Sequence, residues 1–251
     1  MPMWLEAGFW GLVAGSALVI GAAVGYLVPV PRQVIAGTMA FGAGVLVSVL
    51  AFDLIGEAHE RGGLIATGVG FLIGAIAFTA VNIYLMRRGA KHRKRSGDEQ
   101  ASEQEDEGSG LAIAGGALLD GIPESIVIGL SLLAGPGVSA VAVIGIFVSN
   151  IPEGLASAAG MKRAGRSARY VFGLWSLIAS ASGAAAILGN VGFGGLPPEV
   201  IAAITAVAAG AILAMVADTM IPEAFETAHE LTGLVAASGF LVAFVLSKLG
   251  G

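Results

Sequence analysis

The sequence predicts an all-α polytopic membrane protein: eight transmembrane helices in a 3+2+3 inverted repeat. Three observations predict it. Only 12% of the 251 residues are charged, about half the roughly 25% of a soluble domain. Apolar residues make up 56%, and mean hydropathy is +0.85. Apolar stretches of about the 20 residues that a bilayer demands recur along the whole chain. These features exclude an ordinary soluble domain and a disordered chain. With 13 Lys and Arg against 18 Asp and Glu, no net basic charge is available to neutralise nucleic-acid phosphates. The chain has no cysteine, which excludes disulfides, thiolate metal sites and cysteine catalysis. The 39 glycines suit helices whose backbones approach closely in lipid.

Eight spans are predicted near 4–29, 33–57, 63–86, 109–133, 138–161, 169–189, 198–222 and 232–248. Pro29, Pro31 and Arg32 separate the first two, and His59 to Gly63 the next pair. Gly135-Pro136-Gly137 turns the chain between the fourth and fifth, and Gly189 to Pro198 connects the sixth to the seventh. The first span lacks a basic leader and has Glu6 near its start, so it reads as a retained helix and not a cleaved signal. The chain then divides into a first repeat (1–86), a charged loop (87–108), a central pair (109–161) and a second repeat (162–251).

The loop starts basic, with Arg87, Arg88, Lys91, Arg93, Lys94 and Arg95. It ends acidic, with Asp98, Glu99, Glu103, Glu105, Asp106 and Glu107. It reads first as a solvated linker and topology signal, and second as a metal-gathering or regulatory loop. If it is cytoplasmic, Arg32, Lys162, Arg163, Arg166 and Arg169 join its six basic residues inside, leaving only Arg61 and Lys248 outside. The positive-inside rule then puts both termini outside.

Two pairs of motifs carry the repeat. Phe52-Asp53-Leu54-Ile55-Gly56-Glu57-Ala58 ends the second span, and Asp218-Thr219-Met220-Ile221-Pro222-Glu223-Ala224 ends the seventh. Asp120-Gly121-Ile122-Pro123-Glu124-Ser125 lies in the fourth span, and Ser149-Asn150-Ile151-Pro152-Glu153-Gly154 in the fifth. Each pair sits on spans of opposite direction, a signature of secondary transporters.

The same motifs place carboxylates inside the membrane, with no Lys or Arg expected at comparable depth. A charge at the bilayer centre costs about 2.5–3.5 kcal/mol on insertion scales. Asp120 and Glu124, four apart, share a helix face, as do Asn150 and Glu153, three apart. Pro123 and Pro152 disturb the carbonyls of Leu119 and Val148 at the same level. Three carboxylates, one amide and freed carbonyls make an oxygen-rich site for a divalent cation. Asp53, Glu57, Asp218 and Glu223 lie nearer span ends, as polar caps or as stations on the ion's path. His229, near Glu226 and Glu230, is a candidate exit station. His59, beside Glu57 and Glu60, reads as a polar cap ahead of an outer station, and His92 is read as idle.

On these motifs the chain resembles the ZIP family of divalent-metal transporters over nearly its whole length. The family's fourth span carries His-Asn-x-Pro-Glu-Gly, where this chain reads DGIPES from Asp120; its fifth span carries variants matched by SNIPEG from Ser149. The resemblance implies eight spans and a metal site on Asp120, Glu124, Asn150 and Glu153, with Ser149 at a further ligand position. Glu124 and Glu153 match the family's glutamates. Asp120 stands where the family usually has histidine and Gly121 where it has asparagine. The sixth-span stretch Ser176 to Ala184 lacks the acid of a second site, with Ser180 at its position. The resemblance implies zinc as cargo, while an all-oxygen ligand set leans toward harder ions; manganese, iron and cadmium therefore follow zinc.

The expectation is a metal carrier of the cytoplasmic membrane working by alternating access, not an enzyme, with no resident cofactor. Its partners are divalent ions and the bilayer, without nucleic acid. No G-x-x-x-x-G-K-[ST] stretch is present for ATP. A proton-coupled carrier of a small organic substrate on the same scaffold is the alternative, and a sensor or intramembrane enzyme comes third. Small-residue faces such as Gly42-Ala43-Gly44 permit a homodimer and equally serve packing within one chain.

Overall fold

The computed structural model describes residues 1–98, 100, 109–135 and 137–250, and among these every regular element is helical. The acidic residues Glu99, Glu103, Glu105, Asp106 and Glu107, and Pro136 of the expected tight turn, lie outside the described residues. The helices are α1 (Met3–Leu27), α2 (Arg32–Val49), α3 (Ile55–Met86), α4 (Ser109–Ala134), α5 (Ala140–Arg163), α6 (Ala168–Phe193), α7 (Pro198–Met215), α8 (Ile221–Ala228) and α9 (Thr232–Gly250).

Local chemistry sets the starts. Pro31 and Pro197 precede α2 and α7, with φ near −59° and −55°, values that proline's ring imposes. Ser139 and Ser167 cap α5 and α6, accepting from the amides of Ala142 and Tyr170. Single π-helical turns, Leu50–Leu54 and Val216–Met220, join α2 to α3 and α7 to α8. These turns hold Asp53 and Asp218. π-turns inside α-helices are frequent at functional positions.

Among the described residues, seven helical runs are long and apolar enough to cross a membrane. One of them, Arg32–Met86, is 55 residues long and is broken at Gly63, where φ is 73° and ψ 175°. The expected break over His59 to Gly63 thus narrows to one residue. The expected Gly189 to Pro198 connector also shortens, because α6 continues to Phe193.

The distribution of side chains is the reverse of a soluble protein's. Leu64, Ile65, Leu72, Ile76 and Leu111 are exposed, while Asp120, Glu124, Asn150, Glu153 and Glu223 are buried. An apolar exterior around polar groups is what a lipid solvent selects.

Glycines decide which helices touch backbone to backbone. A Cβ on Gly21 of α1 would lie 2.1 Å from the Ile151 carbonyl of α5, and one on Gly154 of α5 would lie 2.1 Å from the Leu18 carbonyl of α1. Gly129 of α4 meets Ala186 of α6 in the same way, and Gly15 of α1 meets Ala179 of α6. A second group forms separately: Gly74 of α3 against Val207 of α7, Gly210 of α7 against Phe71 of α3, Gly44 of α2 against Ala236 of α9, and Gly239 of α9 against Phe41 of α2. The helices therefore sort into one set of α1, α4, α5 and α6 and two pairs, α2 with α9 and α3 with α7, with α8 packed on α2 and α2 also packed on α5. Where α2 meets α5 the glycines meet side chains instead, Gly42 against Pro152 and Gly145 against Val49. The central pair does not stand apart as a layer: α4 leans on α6 and α5 on α1, with sparse contact between α4 and α5.

A Gly210→Ala substitution would drive a methyl to 1.9 Å from the Phe71 carbonyl. It is expected to cost about 1–3 kcal/mol, as overpacking does, and to lower the melting temperature in detergent. Gly173→Ala, with open space around the new Cβ, is expected to leave it unchanged.

Candidate functional site

The site begins where α3 stops. Gly89 adopts φ 104°, a left-handed conformation open to glycine and common just past a helix end. The chain turns back through a short 3-10 turn, Ala90–His92, and delivers Arg93, Lys94, Arg95 and Ser96 among the helices. Ala90, Arg93, Lys94, Ser96 and Gln100 are all buried. Two expectations are corrected here. The segment is not solvated throughout, since Arg93, Lys94 and Ser96 are buried while Lys91 and Asp98 stay exposed, and basic side chains do reach the carboxylates. Carboxylates stripped of water need positive charge close by, and the chain supplies it from this segment.

The contacts are specific. Arg93 Nε donates to Asp120 Oδ2 at 2.9 Å and Nη2 to Oδ1 at 2.7 Å, a two-pronged fork. Lys94 Nζ lies 3.3 Å from Asp120 Oδ2 and 2.9 Å from Glu153 Oε2, so one ammonium bridges α4 and α5. Both basic side chains are at most 6% exposed. Asp120 is eleven residues from the start of α4, about 16 Å at 1.5 Å per residue, and the segment inserts to that depth.

A second layer of polar groups holds the insert. Arg93 Nη1 donates to Asn82 Oδ1 at 2.9 Å, and Asn82 Nδ2 donates to Asp218 Oδ2 at 3.3 Å. The Ser96 amide and hydroxyl donate to Glu223 Oε1 at 2.9 and 2.6 Å. Arg95 pairs with Glu226 and Glu223 and donates to the Pro222 carbonyl. Gln100 Nε2 donates to the carbonyls of Arg93, Arg95 and Ser157 at 3.2, 2.9 and 3.1 Å. Irregular backbone is tolerated among membrane helices only where protein satisfies its polar groups, and Gln100 and Glu223 do so here.

Asp120, Glu124, Asn150 and Glu153 are all buried. Asn150 Nδ2 donates to the Ala14 carbonyl at 3.0 Å. Asp120, Asn150, Glu153 and Trp175 line a void of about 10 Å³ beside Arg93 and Lys94, close to the least that admits one water. Glu124 lies within electrostatic reach of Glu153, Asp120 and Lys94. One oxygen of Glu124 and one of Glu153 are buried without a hydrogen bond among the described residues. Ser149 is turned to its own helix, donating to the Ile146 carbonyl. Among the described residues, no three His, Asp or Glu side chains converge on one point. The expected three-carboxylate cluster is not closed on one point, and Lys94 lies between Asp120 and Glu153.

The outlying candidates separate. Asp53 accepts from Ser247 at 3.1 Å and Glu57 pairs with Arg61 at 3.3 Å. Both line a cavity of about 20 Å³ with the hydroxyl residues Ser131, Ser139 and Thr205. Asp218 and Glu223 belong to the network around the inserted segment. His229 lies edge-on to Phe225, 5.3 Å between ring centres, while Glu226 is engaged by Arg95. His59 is exposed. Ser180 is exposed and donates to Ser176, so it does not stand in for the missing acid of α6.

Compared with known proteins, the chain matches no family model and no curated relative.

Sequence reasoning missed Asn82, Arg93, Lys94, Ser96 and Gln100. Two signals pointed to them. Asn82 is a lone amide in the apolar run from Phe71 to Met86, and Gly89 stops α3 immediately before the basic cluster.

Arg93→Ala would leave Asp120 buried with half its pairing gone. The expected cost is about 3–5 kcal/mol, the range for breaking one partner of a buried pair. Adding Asp120→Leu is expected to recover most of that loss. Thermal unfolding of the two single variants and the double variant, treated as a cycle, checks the coupling.

Proposed function

We propose that the chain carries divalent metal ions across a membrane, zinc first and manganese, iron and cadmium after it, as a ZIP-like carrier. The observation that carries the reading is the burial of Asp120, Glu124 and Glu153 together on two neighbouring helices, at a depth where they require positive charge. In the loaded form these carboxylates are the ligands. Asn150 adds its amide oxygen, the end turned away from the Ala14 carbonyl. Ser149 stands beside them as a helix-bound hydroxyl. Oxygen donors of this kind suit magnesium, calcium and manganese and also hold zinc.

The path runs through the remaining acids. Asp53 and Glu57, with the cavity they line, form the outer approach. Asp218 and Glu223, on the side of the inserted segment, form the inner exit, with His229 beyond. The basic residues favour a cytoplasmic 87–108 segment and two outer termini.

Several features support eight spans and an inverted repeat. The break at Gly63 divides the 55-residue run in two. Both π-turns fall on the paired motifs of the second and seventh spans. The α2–α9 and α3–α7 contacts exchange glycines reciprocally. Ser247 on α9 reaches Asp53 after α2, as Asn82 on α3 reaches Asp218 after α7. Alternating access then moves the set of α1, α4, α5 and α6 against the α2–α9 and α3–α7 pairs, because glycines bring backbones together within that set and within each pair, whereas Gly42 and Gly145 have side-chain atoms as their nearest neighbours where α2 meets α5.

Proteoliposomes are expected to take up zinc, manganese, iron or cadmium saturably. The Glu124→Gln, Glu153→Gln double variant is expected to fall to the level of protein-free liposomes. Folded wild type that moves none of the four ions would refute the metal reading and turn the search to protons and organic substrates.

A further inference from the structure

We infer that Arg93 and Lys94 are an internal ligand of the carboxylate centre: a tethered pair of cations that competes with the transported ion and leaves when the ion binds. The inference rests on the carrier reading above.

Position is the first ground. Lys94 Nζ stands between Asp120 and Glu153 at 3.3 and 2.9 Å, where an ion ligated by both would sit. Zinc holds carboxylate oxygens at about 2.0–2.2 Å, so the carboxylates cannot close on an ion while the ammonium separates them. The remaining void of about 10 Å³ offers no second place.

Charge is the second ground. Arg93 and Lys94 together carry the charge of one divalent ion. Exchanging the pair for the ion leaves the buried charge unchanged, so neither state exposes unpaired carboxylates to an apolar interior. The exchange is therefore a swap of equals, decided by affinity and by the cost of ordering the loop.

The third ground is a receptor shaped for the loop. A Cβ on Gly116 of α4 would lie 2.4 Å from Arg93 Cδ, and its three nearest atoms all belong to Arg93. A Cβ on Gly160 of α5 would lie 2.1 Å from the Arg95 carbonyl and 2.4 Å from Gln100 Nε2. Most close-contact glycines here face another helix, but these two face the inserted segment. Gln100 then latches that segment to the Ser157 carbonyl of α5, and Ser96 latches it to Glu223 of α8.

Two consequences separate competition from a purely structural role. Gly160→Ala keeps every carboxylate and both cations but obstructs the seat of the loop. It is expected to tighten zinc or manganese binding about tenfold or more, since the fraction of protein able to bind rises. Gly116→Ala, acting on Arg93 from the other helix, is an independent second release. The chain's lack of cysteine makes Ser96→Cys a single-site reporter: buried in the free protein, it is expected to react with a water-soluble maleimide only once metal is bound.

The experiment uses the full chain in detergent. Zinc and manganese are titrated separately by calorimetry into wild type, Gly160→Ala and Gly116→Ala, and maleimide labelling of Ser96→Cys is timed with and without saturating manganese. Tighter binding in the glycine variants with metal-dependent labelling supports the inference. Binding of equal affinity in all three proteins, or labelling indifferent to metal, overturns it and leaves the carrier reading standing. No binding by wild type or either glycine variant overturns the carrier reading and the inference with it.

Discussion

A carboxylate between apolar helices has lost the water that stabilised its charge, and the loss is worth several kcal/mol per ion even after relaxation. Much of the centre of this protein answers that constraint. Asp120 takes the two-pronged grip of Arg93, Glu153 shares Lys94 with it, and Glu223 takes Ser96 and Arg95. Once Arg93 is committed to that depth, its own backbone and remaining donors must be satisfied as well. Asn82 and Gln100 serve that need, and the result is a polar core within an apolar shell.

The glycine contacts give this core its mechanical setting. Asp120 and Glu153 belong to the set built on α1, α4, α5 and α6, whereas Asn82 lies on α3, Asp218 on the π-turn after α7 and Glu223 on α8. Arg93 holds Asp120 with one part of its guanidinium and Asn82 with another. The inserted segment therefore ties α4 to α3. A neutralising device is at the same time a tie between helices of different groups.

Much of the membrane architecture was legible in the chain, because lipid enforces a simple rule on length and hydropathy. The limits of α1, α4, α5, α6 and α9 fall within a few residues of predicted spans, whereas the second and third predicted spans lie in one 55-residue run broken at Gly63. Proline and the serine caps mark the starts of α2, α5, α6 and α7 openly. The central acids were legible from their spacing, since residues three or four apart must share a helix face. The basic segment was not. Six cations in nine residues read as solvated, as Arg87, Arg88 and Lys91 are, and only a tertiary partner makes the burial of Arg93 and Lys94 favourable. Gly116 and Gly160 were equally opaque, because a glycine that faces a loop looks the same in sequence as one that faces a helix. Ser180 is exposed on α6 and bonds to Ser176 of its own helix.

Surface loops ordinarily absorb insertions and deletions at little cost. The stretch from Gly89 to Gln100 has lost that freedom. Its register is pinned at one end by the left-handed turn that follows α3 and at the other by the three carbonyls that Gln100 gathers. One residue more or fewer between them would bring a different side chain to Asp120. By position this segment is a connection; by its intolerance of a change in length it belongs to the interior.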